Sequence, residues 1–217
     1  MAEEGPNRAE AIERYRKAAS GYDRRMRLAA RWQRQAVERL GLRPGETVID
    51  VACGTGLNFP LLESAVGPSG RVVGIDLSPE MLALAAERFS AEGWQNVTLI
   101  EAPVEEAELD QVADAALFSF THDVLQSPAA VANVVDHLRP GGRFACVGPK
   151  LAGRWGFPVN LVVRRIARLY VTTLRGVDRP WRELERHAET LEHRSLALGG
   201  LYVAWGTVRS KQQDAPG

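Results

Sequence analysis

The run Val48-Ile49-Asp50-Val51-Ala52-Cys53-Gly54-Thr55-Gly56-Leu57 constrains this chain more than any other segment. Its apolar part is long enough for a buried strand, and it ends in a small-residue turn with two glycines. A helix-compatible stretch, residues 59–65, comes next. A second apolar run, Arg71-Val72-Val73-Gly74-Ile75, then ends in Asp76. Strand, Gly-rich turn, helix, strand and acid in that order describe a nucleotide-type cofactor site. The glycines let the backbone approach a ligand, and the acid can accept hydrogen bonds from two ribose hydroxyls.

The rest of the chain repeats the alternation. Residues 47–51, 71–75, 97–100, 115–120 and 144–147 read as strands. Residues 58–65, 79–91, 105–109 and 129–138 between them read as helices. Strands alternating with helices predict an α/β fold with a mostly parallel, doubly wound sheet covered on both faces. Ser78 is placed to N-cap a helix that has Pro79 at its first position. Pro44-Gly45 and Pro140-Gly141-Gly142 mark turns before the first and fifth strands.

The 217 residues predict a single domain, 1–217, in four parts. Residues 8–40 are an N-terminal helical segment and 41–150 the α/β core. Residues 151–190 are a helical insertion, and 191–209 a closing hairpin around Gly199-Gly200.

Twenty-seven basic and 27 acidic residues leave no net charge, which argues against a nucleic acid backbone as main partner. The two cysteines, Cys53 and Cys146, lie in apolar contexts without metal-site or disulfide-framework spacing, so no metal is expected. The polar, acid-bearing stretch from Met1 to Ala9 does not read as a signal peptide. No apolar run approaches the roughly 20 residues that span a bilayer. The expectation is a cytoplasmic protein without a transmembrane segment, with peripheral membrane contact and self-association left open.

At these motifs the sequence resembles the class I S-adenosylmethionine (SAM) dependent methyltransferases, in particular the ubiquinone/menaquinone-biosynthesis and phospholipid group. Asp50-Val51-Ala52-Cys53-Gly54-Thr55-Gly56 is similar to that family's first motif. Val73-Gly74-Ile75-Asp76-Leu77-Ser78-Pro79-Glu80-Met81-Leu82 is similar to its second, and residues 138–147 to its approach to the fifth strand. The resemblance covers residues 15–147 and, more loosely, the hairpin. It implies a Rossmann-like seven-stranded sheet with the last strand antiparallel, an N-terminal helical lid and SAM as cofactor. A dinucleotide site would want a third glycine where Phe59 stands.

The resemblance also implies roles. The Gly54–Gly56 turn, with Ala52 beside it, would receive the cofactor carboxylate, and Asp50 would hold that loop or the ammonium. Asp76 would take the ribose hydroxyls. Leu77, Met81 and Val104 would border the adenine. The carbonyl of Phe118 or Ser119 would accept from the ammonium, and Tyr15 or Tyr22 would close over the methionine end. Two departures stand out. Ala52 replaces the motif's first glycine, which a negative φ would tolerate. Pro103-Val104 stands where relatives carry Asp-Ala.

Methyl transfer from a sulfonium chiefly requires alignment in a dry site, with a base only where the acceptor loses a proton. His122 is the candidate base after the fourth strand, and Asp123 either orients it or caps the next helix. In the insertion, Trp155, Phe157, Tyr170 and Trp181 either wall an apolar acceptor pocket or pack as core. The Asn/Asp-Pro-Pro-aromatic signature of many DNA amino-methylases is absent, since Ser119-Phe120-Thr121-His122 stands there. The expected acceptor is a small molecule, apolar or lipid-like, methylated at O, N or C. Two other readings stay open: a SAM enzyme catalysing an elimination or rearrangement, and a SAM-binding regulator without turnover.

Overall fold

A computed structural model describes residues 26–110, 112–152, 156, 157, 159–161, 163, 165 and 176–210. Within them, seven strands form one sheet: β1 (Thr47–Val51), β2 (Arg71–Asp76), β3 (Val97–Glu101), β4 (Ala113–Ser119), β5 (Leu138–Pro149), β6 (Ala188–Leu196) and β7 (Leu201–Val208). Their order is β3-β2-β1-β4-β5-β7-β6. β1 to β5 are parallel, and β7 runs antiparallel between β5 and β6. The labelled helices are α1 (Ala30–Leu40), α2 (Phe59–Val66), α3 (Pro79–Glu92), α4 (His122–Leu125), α5 (Pro128–Asp136) and α6 (Arg182–His187). The fold is the expected Rossmann-like sheet.

Side chains alternate along each strand and divide the core into two faces. Val48, Val72, Leu117 and Val147 pack with Ala36 and Leu40 of α1, Phe59 and Leu62 of α2, and Leu82 of α3. Ile49, Val51, Ile75, Phe118 and Phe144 pack on the other face with Leu125 of α4, Val131 and Val134 of α5, and Leu184 of α6. Both faces are covered, so the strands read as near-continuous apolar runs. Ser78 N-caps α3, its hydroxyl accepting from Met81 N at 3.3 Å. The strand order reverses direction at β1, between β2 and β4, and the cleft described below opens there at the carboxyl edge.

Three local expectations change. The helix expected at 105–109 is a single 3-10 turn, Val104–Glu106, tied to α5 because Asn133 Nδ2 donates to Val104 O at 2.7 Å and Ala107 O at 3.0 Å. β5 begins at Leu138, before Pro140-Gly141-Gly142. The ladder absorbs those residues by a register shift, with Ala113 opposite Leu138 and Ala115 opposite Arg143. The insertion expected to be helical as far as residue 190 gives way to strand at Ala188, where β6 pairs with Val208 of β7 and Arg209 N donates to His187 O at 3.0 Å.

Candidate functional site

The turn after β1 is held to the sheet by its own backbone. Cys53 N donates to Ile75 O at 2.9 Å, Gly56 N to Cys53 O at 3.0 Å and Phe59 N to Gly56 O at 3.1 Å. Gly54 and Gly56 both have positive φ, at +56° and +72°. A Cβ on Gly56 would stand 2.6 Å from the Phe59 ring, while one on Gly54 would meet no atom within 4 Å. Gly56 therefore serves the close packing of the turn. Gly54 leaves open space in a cleft lined by Ala52, Asp76, Leu77, Met81, Ser119, Phe120, Thr121, Asp123 and Val124. The cleft is about 580 Å³, counting its open mouth.

Asp76 is the hinge of this geometry. One of its oxygens accepts from Gly54 N at 2.8 Å and the other from Ser78 N at 2.9 Å. Burial raises its pKa, and the N–H groups of Ser78, Gly54 and Leu77 oppose the rise. An ionised carboxylate has about four acceptor sites, so capacity remains beyond these three N–H groups for a ligand hydroxyl. Open space at Gly54, spare acceptor capacity on Asp76 and apolar walls at Leu77 and Met81 together fit a nucleoside-bearing ligand.

Asp50 does not line the cleft. It is fully buried behind the turn, and Asn58 Nδ2 lies 3.2 Å from each of its oxygens. Burial pushes its pKa up to about 7; the Asn58 hydrogen bond lowers it and the charge of Asp76 raises it. Asn58 was not anticipated. An Asn at a helix start reads as an ordinary cap, yet its side chain makes no cap bond to α2 and holds Asp50 instead.

Ala52 corrects an expectation: its φ is +51°, not negative. The residue keeps the left-handed conformation of the glycine it replaces, because the chain must still leave β1 toward the Gly54 turn. Val104 lies in the core and off the cleft wall, its carbonyl claimed by Asn133. Phe118 is wholly buried within β4, and Ser119 reaches the cleft.

On α4, His122 and Leu125 form the buried face, while Asp123 and Val124, half-buried, line the cleft. The structure thus brings Asp123 to the cleft and leaves His122 behind it, only 4% exposed. Trp181 is core, its ring 4.6 Å from His193 and 4.8 Å from Tyr202. Phe157 is 75% exposed. Tyr15, Tyr22, Trp155 and Tyr170 lie outside the described residues. Two further residues were not anticipated. Gln33 of α1, itself buried, donates to Ser119 Oγ at 3.5 Å, and Thr121 is a second hydroxyl-bearing residue that lines the cleft. No cluster of three or more metal-ligating side chains occurs among the described residues.

Comparison with known proteins agrees with this geometry. A methyltransferase domain family model matches residues 48–142. A demethylmenaquinone methyltransferase of Symbiobacterium thermophilum is 31% identical over 121 residues, covering 54% of this chain and 48% of that protein. One from Lactococcus lactis is 34% identical over 122 residues, covering 54% and 47%. The chain thus spans about half the length of these curated relatives. One from Listeria monocytogenes is 28% identical over 169 residues, covering 72% and 70%. Among solved structures, a SAM-dependent methyltransferase from Aquifex aeolicus has a TM-score of 0.59 at 21% identity, covering 81% of this chain and 89% of that one. A SAM-dependent O-methyltransferase from Thermotoga maritima has 0.63 at 18%, covering 85% and 67%. Residues 48–142 thus match a methyltransferase domain, with similarity to demethylmenaquinone methyltransferases, and the sheet has the fold of the SAM-dependent methyltransferases of known structure.

Proposed function

We propose that the protein transfers a methyl group from SAM to a small apolar acceptor, of the same kind as the substrate for which its demethylmenaquinone methyltransferase relatives are named. The observation that carries the cofactor half is the convergence of Gly54, Asp76, Leu77 and Met81 on one cleft. SAM supplies an activated methyl on a positive sulfonium. The chain's own residues bind and align it: Asp76 takes the ribose hydroxyls, Leu77 and Met81 flank the adenine, and the Gly54 turn meets the carboxylate. Asp50, behind the turn, holds the loop through Asn58.

The acceptor half rests on the sheet edge beyond β5. Lys150 N donates to Gly200 O at 3.0 Å at the carboxyl end of β5, the same edge as the cleft. Val159 and Val163 pack on Gly200, while Phe157 and Leu161 of that helical stretch stay 75% and 63% exposed. An apolar surface at that edge favours an apolar acceptor over a polar one. Asp123, on the cleft wall, is the group placed to receive a proton from the acceptor, with His122 positioning the α4 turn from its buried face.

The test is incubation with methyl-labelled SAM and a soluble demethylated naphthoquinol, with both products followed by mass spectrometry. Labelled methylated product formed in step with S-adenosylhomocysteine is the expected result. SAM consumed without methylated product would support the elimination or rearrangement reading, and SAM bound but unconsumed across a panel of apolar acceptors the regulatory one.

A further inference from the structure

Thr121 has a hydroxyl that no other described residue meets. It stands directly before α4, where a Thr ordinarily offers its oxygen to a backbone N–H of the first helical turn. Ser78 does so before α3, and Ser127 before α5, accepting from Ala130 N at 3.3 Å. Thr121 makes no such bond. The residue is only 6% exposed, and its Oγ1 is buried with no hydrogen-bond partner among the described residues. Folded chains seldom leave a buried hydroxyl unmet. Of the two hydroxyl-bearing residues that line the cleft, Ser119 is met by Gln33, whereas the buried Thr121 Oγ1 has no partner among the described residues.

The backbone before Thr121 is bent to bring it there. Phe120 has φ +61°, a region bulky residues rarely occupy, and its N–H is fixed by Val147 O at 2.8 Å. Strain of this kind is retained where the surrounding structure imposes it, often beside a ligand. The strand order then says which part of a ligand Thr121 meets. β1 lies between β2 and β4, with Val51 opposite Phe118. Asp76, Leu77 and Met81 mark the β2 side, suited to ribose and adenine. Thr121 lies past Ser119 on the β4 side, where the non-nucleoside end must reach.

We infer that the Thr121 hydroxyl is a hydrogen-bonding group for the amino-acid end of the cofactor, met only when the cleft is filled. Rotation about χ1 exchanges its hydroxyl and methyl, so the contact needs no backbone movement. The inference rests on the SAM reading of the site.

Calorimetric titration of the full chain with S-adenosylhomocysteine and with adenosine, which lacks the amino-acid end, tests it. Thr121→Val is expected to weaken S-adenosylhomocysteine binding about tenfold and leave adenosine unchanged. Thr121→Ser should stay within about twofold of wild type for both. Without ligand, Thr121→Val should unfold at the wild-type temperature or above, since it removes an unmet polar group. Wild-type affinity for S-adenosylhomocysteine in Thr121→Val, an equal loss for both ligands, or a lowered unfolding temperature of the empty variant would overturn the inference. A wild-type protein that binds neither ligand would overturn the cofactor reading as well, a result plainly distinct from those three.

Discussion

Asp76 accepts the Gly54 N–H at 2.8 Å, so the acid at the end of β2 and the glycine turn after β1 form one unit. The residue expected to hold the ribose also fixes the loop expected to hold the carboxylate. Asp76→Ala removes the acceptor for Gly54 N and Ser78 N together. Hydrogen bonds to a charged acceptor contribute about 1.5–3 kcal/mol each. Affinity for S-adenosylhomocysteine should fall by at least about tenfold, and stability in urea by about 3 kcal/mol or more. Asp76→Asn keeps one acceptor oxygen and should fall between. Unchanged affinity in Asp76→Ala would sink the cofactor placement.

Asp50 makes the empty protein pH-sensitive. Its pKa is about 7 when folded, mainly through burial, against about 3.9 in an unfolded chain. Between those values the folded state binds the extra proton. The stability Asp50 contributes is therefore complete below about pH 4, falls as pH rises toward 7, and is flat above. Asp50→Asn removes the titration. From pH 5 to pH 8 the unfolding free energy of wild type should drop relative to this variant by on the order of 3 kcal/mol. Chemical denaturation at several pH values gives the difference directly. A flat difference would mean that Asp50 stays ionised throughout.

Gly74, in the middle of β2, is required by packing and not by backbone conformation. A Cβ there would lie 2.8 Å from Phe59 Cζ and 2.9 Å from Cys53 Sγ. Phe59 and Cys53 flank the glycine turn, so Gly74→Ala pushes on the cleft from beneath. Overpacking of this kind costs about 1–3 kcal/mol. The urea midpoint should fall accordingly, with a smaller loss in S-adenosylhomocysteine affinity. An unshifted midpoint would show that the Phe59 ring yields freely.

The architecture was legible because local signals and long-range pairing agreed: apolar strands ended at glycine or acid, and Ser78-Pro79 announced α3. Asp76, Leu77 and Met81 reached the cleft as the motif implied. The misses share a physical cause, in that side-chain partners distant in sequence decide them. Asn58 reads as a cap until Asp50 is seen behind it. His122 and Asp123 are neighbours in sequence, but His122 is buried and Asp123 lines the cleft, which no periodicity reveals over a one-turn helix. Val104 is drawn into the core by Asn133, 29 residues away. Helix gave way to strand at Ala188 because β7 offered a partner there.

Ala52 is where sequence and backbone disagree most openly, and where a substitution should improve the fold. At φ +51° it holds a left-handed conformation that costs an L-residue roughly 1–2 kcal/mol. Glycine removes that cost but loses about 0.4–1 kcal/mol through its freer unfolded chain. Ala52→Gly should therefore stabilise by about 0.5–1 kcal/mol, which raises Tm by about 2 °C for a chain of this size. Because Ala52 lines the cleft, the same change also widens it by one methyl. A higher Tm with S-adenosylhomocysteine affinity equal to or above that of wild type would identify the methyl as strain without function. A higher Tm with weakened affinity would show that the Ala52 methyl contacts the ligand. An unchanged or lower Tm would show that the strain at Ala52 does not exceed what glycine loses through its freer unfolded chain.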